Sequence, residues 1–191
     1  MPETPISLLE RLRLRPDEES WQRLVQLYTP WIADWLRRQG LAAADVDDLS
    51  QEVMVVLIRE LPGFNHDLRR GAFRRWLRTL TLNRLRTFWR ERKRQHTPAG
   101  MDEVLAQLED PESDLSRAWD REHNDHVVRR LLELLAPEFE PATWEAFRRV
   151  VLDGQSSAEA ARALGLSPVA VRVAKSRILT RFRREAEGLT D

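Results

Sequence analysis

Apolar residues recur at steps of three and four along almost the whole chain, and this spacing constrains the fold more than any other feature. Alternating runs of Val, Thr or Tyr, which would indicate strands, do not occur, and the 191 residues include only seven glycines. A repeat of three and four residues places apolar side chains on one face of an α-helix. The sequence therefore predicts an all-α protein, with helices over 18–38, 44–60, 71–94, 115–135 and 142–152 and a helix pair after residue 156. Pro30 is expected to kink or split the first of these helices.

The stretch from residue 96 to residue 125 interrupts the helical pattern. Residues 97–100 are Thr-Pro-Ala-Gly, and residues 102–125 hold nine acidic side chains against two arginines. We interpret it as an acidic linker with, at most, a short helix over 103–108. The chain then divides into two small helical domains, 1–95 and 126–191, joined by the linker 96–125.

The formal net charge of zero conceals two basic blocks. Residues 69–94 carry eleven basic side chains and one acidic side chain, and residues 155–184 carry seven basic side chains and one acidic side chain. Separate basic blocks are the expected mark of a polyanionic partner, which points to nucleic acid.

Composition argues against several other classes of protein. No apolar run approaches the roughly 18 residues needed to span a bilayer, the first residues lack the apolar core of a signal peptide, and cysteine is absent. We therefore expect a cytoplasmic protein without disulfides. His123 and His126 stand one helical turn apart beside acidic residues, but no third ligand is specified, so no metal or cofactor is expected. No nucleophile elbow or glycine-rich phosphate loop indicates a catalytic residue.

The most specific motif lies between residues 157 and 176 and has the pattern of a helix-turn-helix. Ala161 is the small residue where two helices cross closely, Gly165 is the turn residue four positions later, and Val171 is the apolar anchor. Ser167 is placed to cap the second helix, here called the reading helix, and Pro168 to occupy its first position. The motif predicts binding of duplex DNA through the outward face of the reading helix. The candidate contact residues are Ser167, Pro168, Ala170, Arg172, Val173, Lys175, Ser176, Arg177 and Arg181.

The helix at 71–94, GAFRRWLRTLTLNRLRTFWRERKR, interleaves aromatic side chains with arginines. Rings for stacking beside cations are what single-stranded nucleic acid requires. The apolar spacing indicates that Phe73 and Trp76 pack in the core, and it leaves the role of Trp89 open. Asn83, a polar residue in the apolar register, is the better candidate for reading a base.

This helix resembles the second conserved region of the extracytoplasmic-function sigma factors of bacterial RNA polymerase, members of the sigma-70 superfamily. The resemblance lies in an aromatic residue, a Trp-Leu pair, an asparagine and a closing arginine cluster. Upstream, DVDDLSQEVMVVLI at 45–58 resembles the helix with which such factors grip the clamp helices of the polymerase's largest subunit. Downstream, LSPVAVRVAKSRIL at 166–179 resembles their fourth region. The similarity covers about 20–95 and 125–185 of the chain.

The resemblance implies a sigma factor, which directs core polymerase to specific promoters and assists opening of the duplex. The reading helix would bind the minus-thirty-five element as duplex, and the loop at 63–71 with the following helix would bind the minus-ten element as a single strand around a flipped base. The residues implied for the single strand are Asn65, Arg69, Arg70, Arg74, Arg75, Arg78, Asn83, Arg86 and Arg90. The residues implied for the polymerase are Asp48, Leu49, Gln51, Glu52 and Val53, on a helix whose acidic face suits a basic partner.

The expected partners are thus core RNA polymerase and promoter DNA, both duplex and single-stranded, with a free form that is a monomer and no membrane contact. An anti-sigma factor is common in the family, and control by such a partner or by expression level is left open. Two other interpretations remain. One is a helix-turn-helix transcriptional regulator that binds duplex operators without being a polymerase subunit, and the other is an interaction protein whose basic faces are simply solvated.

Overall fold

The computed structural model describes residues 7–64, 71–92 and 100–190 of the chain. Within these ranges the structure is helical and contains no strand, which confirms the all-α prediction. No helix in them is long and apolar enough to cross a membrane. The helices are α1 (Leu8–Leu14), α2 (Glu18–Arg38), α3 (Ala43–Glu60), α4 (Ala72–Arg92), α5 (Met101–Glu109), α6 (Asp114–Leu135), α7 (Pro141–Phe147), α8 (Ser157–Leu164) and α9 (Pro168–Ala186).

Helix α1 was not predicted from the apolar spacing. Its N-cap is Ser7, whose side chain accepts from the Glu10 N–H while the Glu10 carboxylate accepts from the Ser7 N–H. This reciprocal capping box satisfies two of the four free N–H groups at the start of the helix. Three leucines of α1, Leu8, Leu9 and Leu12, are fully buried in the main core.

The main core, here called the N-terminal core, is built around α2, α3 and α4 and is closed by α1, α5 and α6. Its centre contains an aromatic cluster in which the Trp119 ring of α6 lies edge-on to Trp35 and Trp31 of α2, with ring centroids 4.7 and 5.3 Å apart. Edge-to-face contacts of this kind add to the free energy gained by burying the rings. Helix α6 is therefore part of the core and not an accessory to it.

The segment expected to be an acidic linker is mostly helical and packed, which corrects that interpretation. Met101, Leu105 and Leu108 of α5 are buried in the N-terminal core, and Trp119 is only 2% exposed. Most of the acidic residues that suggested a tether lie between these apolar positions, on the outer sides of two amphipathic helices or in the turn between them, whereas Asp120 faces α4. The 22 residues of α6 form one continuous helix across the expected boundary at 125–126.

Pro30, expected to kink or split the helix, lies inside α2 without splitting it. A proline leaves the carbonyl four residues earlier without its helical donor. Here that carbonyl, on Gln26, accepts from Arg130 Nε at 3.2 Å, and the next carbonyl, on Leu27, accepts from His126 Nε2 at 2.7 Å. Two side chains of α6 thus donate hydrogen bonds to the α2 carbonyls in the turn before the proline.

Helices α7, α8 and α9 form a smaller assembly, here called the C-terminal unit. The predicted helix at 142–152 is α7 followed by a π-helical turn at Arg148–Leu152. A second small core holds the unit together and consists of Ala146, Ala160, Ala161, Val171 and Ala174. The other end of α9 leaves this unit and packs against the N-terminal core through Ala186.

Candidate nucleic-acid and polymerase interfaces

A tight turn joins α8 to α9. Gly165 ends α8 with a φ of +64°, in the left-handed region that favours glycine. The carbonyl of Ala161 accepts hydrogen bonds from the N–H groups of Gly165 and Leu166. Ser167 then begins α9 as its N-cap, with its hydroxyl accepting from the Ala170 N–H at 3.1 Å. These local interactions fix the angle at which α9 leaves α8.

The outward face of α9 is exposed as the helical spacing predicts. Val171, Ala174 and Ile178 are buried on the inner side. Eight of the nine residues predicted to contact duplex DNA are exposed on the other sides: Ser167, Pro168, Ala170, Arg172, Val173, Lys175, Ser176 and Arg177. Among the described residues, Arg172 and Arg177 have no ion-pair partner, so both guanidinium groups are free to bind DNA.

Arg181, the ninth residue, is committed to other contacts. Its Nε donates to Glu138 Oε2 at 2.9 Å, and its Nη1 donates to Glu185. Burial by itself lowers the pKa of Arg181, but the hydrogen bonds to these two carboxylates raise it above its ordinary value. In this arrangement two carboxylates occupy the guanidinium group of Arg181, so its predicted contact with DNA would require these ion pairs to break. The reason is that the C-terminal half of α9 turns from the C-terminal unit to the N-terminal core.

Helix α4 exposes only part of its predicted single-strand face. Arg75, Asn83 and Arg90 are exposed. Arg86 is half-buried and pairs with Glu109 at the end of α5. Since that pair lies at the surface, a phosphate could replace the carboxylate at little cost in free energy.

Arg74 and Arg78 are buried, so the assignment of both to DNA phosphates is wrong for this structure. They are 8% and 5% exposed because α6 packs against their side of α4. Arg74 Nε lies 2.9 Å from Asp120 Oδ1, and Arg74 Nη1 donates to Asn124 Oδ1 at 3.1 Å. Arg78 Nη1 donates to Asp120 Oδ1 at 3.2 Å and to the Ser116 carbonyl at 3.3 Å. Both arginines therefore join α4 to α6.

The remaining single-strand candidates, Asn65, Arg69 and Arg70, lie outside the described residues. Just before them, Phe64 stacks on the half-buried Trp76, with ring centroids 4.4 Å apart and planes inclined by 18°. Phe73 is buried beside both rings, as the apolar spacing predicts. The open question of Trp89 is settled as well, because its ring is buried against Phe88 at a centroid distance of 5.0 Å.

Helix α3 separates the five predicted polymerase contacts into two groups. Asp48, Gln51 and Glu52 are exposed. Leu49 and Val53 are 2% and 0% exposed, so neither is available to a partner, which corrects their assignment. The two residues belong to the apolar stripe with which α3 packs in the N-terminal core.

Comparison with known proteins identifies the family of the chain. Residues 24–95 match the Sigma-70 region 2 family, a range that begins in α2 and includes α3 and α4. Over 176 residues the chain is 30% identical to the RNA polymerase sigma factor NccH of Alcaligenes xylosoxydans xylosoxydans, covering 88% of this chain and 89% of that protein. The chain belongs to the sigma-70 family of RNA polymerase sigma factors.

The relative covers most of this sigma factor and supports its resemblance to the extracytoplasmic-function type. The factor therefore works with core RNA polymerase and promoter DNA. A helix-turn-helix regulator that is not a polymerase subunit is not favoured, since it would leave the region 2 match without a role.

One exposed residue of α3, Val55, was not among the contact residues predicted from the sequence. Val55 is 62% exposed, an unusual position for a large apolar side chain. It follows Asp48 by seven residues and Glu52 by three, so it lies on the same exposed stripe of the helix. A helical wheel of 43–60 would have identified it.

The two histidines of α6 have structural roles in this sigma factor. His123 Nε2 lies 3.3 Å from the buried Tyr28 hydroxyl, and His126 Nε2 donates to the Leu27 carbonyl. Burial lowers the pKa of His126 and raises that of Tyr28. Within the described ranges no group of three His, Cys, Asp or Glu side chains is placed to hold a metal ion.

Proposed function

We propose that this sigma factor uses three separate helix faces to start transcription in the bacterial cytoplasm. The exposed face of α3 binds core polymerase, the exposed part of α4 binds the minus-ten element as a single strand, and the outer face of α9 binds the minus-thirty-five element as duplex. The observation that carries the proposal is the exposure of eight predicted contact residues along one side of α9, opposite its buried stripe.

Duplex recognition by α9 combines charge with small side chains. Arg172 and Arg177 offer bidentate donors suited to guanine in the major groove. Val169 and Val173, at 58% and 52% exposed, present apolar groups of the kind that contact thymine methyls. Ser167 and the Val169 N–H, at the start of α9, are suited to a backbone phosphate, since Pro168 has no N–H and those of Ala170 and Val171 are bonded to Ser167.

Single-strand binding by α4 uses only some of the arginines of this helix, because Arg74 and Arg78 are buried. Arg75 and Arg90 are exposed for phosphate contacts, and Asn83 presents both amide donors and a carbonyl acceptor to a base edge. Arg86 joins them when a phosphate displaces Glu109. The Phe64–Trp76 stack holds Phe64, the last described residue before the loop, against α4.

Polymerase binding by α3 is proposed to centre on Val55. Asp48, Gln51 and Glu52 surround this exposed apolar side chain with acidic and polar groups. Such a surface fits the clamp helices of the largest subunit if those helices present basic residues around an apolar contact. An anti-sigma partner would silence the factor by covering this face and that of α9.

Run-off transcription tests the proposal. Purified core polymerase is incubated with fragmented genomic DNA of the source bacterium, with and without the sigma factor. Discrete new start sites that share a two-part upstream element are expected only in its presence. Starts that do not depend on the sigma factor, or no starts with active core polymerase, would contradict it.

A further inference from the structure

A cleft lies between the C-terminal half of α2 and the middle of α6 and is here called the α2–α6 cleft. Its volume of about 710 Å³ is within the usual range for small-molecule sites. Its walls carry three arginines and three carboxylates, so their charges balance. The charged groups are Asp34, Arg37 and Arg38 of α2 and Glu122, Asp125 and Arg129 of α6. A balanced lining favours a ligand that carries both signs of charge over one with a large net charge.

Two of these six groups are not engaged in ion pairs within the described part of the chain. Asp125 and Arg129 are exposed and one helical turn apart, yet they pair neither with each other nor with another described residue. The other four groups form the pairs Arg37–Asp34 and Arg38–Glu122. Side chains four residues apart on a helix lie about 5–6 Å from each other. One small molecule can therefore place an ammonium group on Asp125 and a carboxylate on Arg129.

His126 provides a second, independent feature of the cleft. The residue lines the cleft and is only 9% exposed. Its Nε2 lies 2.7 Å from the Leu27 carbonyl oxygen, which can only accept, so Nε2 carries the ring proton. Burial lowers the pKa of His126 and so favours the neutral ring. Nδ1 is then an acceptor to which no described residue donates. A buried acceptor without a partner favours a ligand that donates a hydrogen bond.

We propose that the α2–α6 cleft binds a free amino acid or a short peptide in its zwitterionic form. The carboxylate of the ligand binds Arg129, and its ammonium group lies between Asp125 and Nδ1 of His126. An ammonium group is the donor that suits both a carboxylate and a bare imidazole nitrogen. The volume of the cleft leaves room for a large side chain or for a second residue of the ligand.

The inference goes beyond the proposed function and does not rest on it. The three proposed contact faces lie on α3, α4 and α9, whereas the cleft is formed by α2 and α6. No polymerase or DNA contact is assigned to any of its residues. Run-off transcription and ligand binding are therefore independent readouts, and failure of one leaves the other intact.

Thermal unfolding of the full chain with added zwitterions tests the proposal. The probes are the standard amino acids, one at a time, and the dipeptides glycylglycine, glycyl-leucine and glycyl-phenylalanine. At about 10 mM, a probe with a Kd of about 1 mM raises the ratio of folded to unfolded chains about tenfold. At least one probe should raise the midpoint temperature in this way. The α-hydroxy acid and the amine with the same side chain, which lack the ammonium group or the carboxylate, should bind at least about tenfold more weakly.

Two variants remove the charges assigned to the ligand. Asp125→Asn and Arg129→Gln should each weaken binding of that probe about tenfold or more. Asp114→Asn and Arg117→Gln are the matched controls, because they make the same chemical changes in an exposed pair on α6 outside the cleft. Unfolding of each variant without a probe verifies its fold, and either folded cleft variant decides the test.

NMR of the histidine rings gives a readout that a change of surface charge would not move. The ring proton of His126 should be on Nε2, and a bound probe should shift the Nδ1 signal to lower frequency, as expected for a nitrogen that accepts a hydrogen bond. Binding by amino acids alone or by dipeptides alone would identify which of the two the cleft takes. No midpoint shift with any probe, equal binding of the hydroxy acid and the amine, or equal losses in the control variants would overturn the proposal. An unmoved Nδ1 signal in the bound state would overturn the role of His126.

Discussion

Arg78 of α4 and Asp120 of α6 form an ion pair in which Nη1 lies 3.2 Å from Oδ1 and the arginine is only 5% exposed. The same carboxylate holds Arg74, so one acidic residue neutralises two buried guanidinium groups. Burial lowers the pKa of Arg78, and Asp120 opposes that shift. Arg78 belongs to a basic block in the sequence, but in the structure it forms a contact between α4 and α6.

Asp120→Ala should lower the free energy of unfolding by about 3 kcal/mol, because it leaves two buried cations without their shared partner. Urea denaturation followed by tryptophan fluorescence measures the change. Asp114→Ala, which removes a fully exposed carboxylate that pairs with Arg117 on the same helix, should change the value by less than about 0.5 kcal/mol. Equal losses for the two variants would show that Asp120 has no special role.

Changes to α3 should separate binding from folding. Glu52→Arg reverses an exposed charge and should weaken binding to core polymerase at least about tenfold without changing the unfolding midpoint. Leu49→Arg places a cation in the core and should abolish cooperative unfolding. Binding is measured by fluorescence anisotropy of the labelled factor, with Glu60→Arg near the end of the helix as the charge-matched control. A Glu52→Arg protein that binds normally would contradict the assigned face.

Arg172→Ala together with Arg177→Ala should weaken recognition of the minus-thirty-five element by a few kcal/mol, at about 1–3 kcal/mol for each good contact. Footprint titration of the polymerase complex at fixed salt measures the loss. The control is Arg129→Ala, an exposed arginine of α6 away from the reading face. An unchanged footprint over the upstream element would place the reading face elsewhere.

The stability contributed by Glu185 should depend on pH in one direction. Burial raises the pKa of this carboxyl, but hydrogen bonds from Arg11 and Arg181 outweigh it, and the net pKa is lowered. Arg23 and Arg184 also interact with the group, and Glu138 shares Arg23 and Arg181 with it. A lowered folded-state pKa stabilises the protein above about pH 4.5, and this stabilisation is lost as the pH falls through the folded value.

Urea unfolding of the wild type and of Glu185→Gln should therefore differ most near neutral pH and converge as the pH falls below about 4. Glu185→Gln has no titrating carboxyl at this position, so the difference between the two proteins at each pH reports the contribution of Glu185 alone. A difference that stays constant from pH 7 to pH 3 would show that the folded protein does not hold an ionised Glu185.

Local signals predicted most of the helices and the turn before α9, whereas α1, the packing of α5 and contacts between distant segments were not predicted. Gly165 and Ser167 act through hydrogen bonds within five residues, so their roles are readable from sequence order. Arg78 and Asp120 are 42 residues apart, and nothing in either segment indicates the other. Leu49 is a different case, because its spacing placed it in the core while the family resemblance assigned it to the polymerase.

The continuity of α6 determines how this molecule can be dissected. A fragment that ended at residue 95, where the region 2 match ends, would lack the helix that covers Trp31 and Trp35. It would also lack Asp120, so Arg74 and Arg78 would have no counter-charge. Exposed aromatic rings favour self-association. The fragment ending at residue 95 is therefore expected to aggregate, and its promoter binding could not be measured. Single substitutions in the intact chain are the informative route.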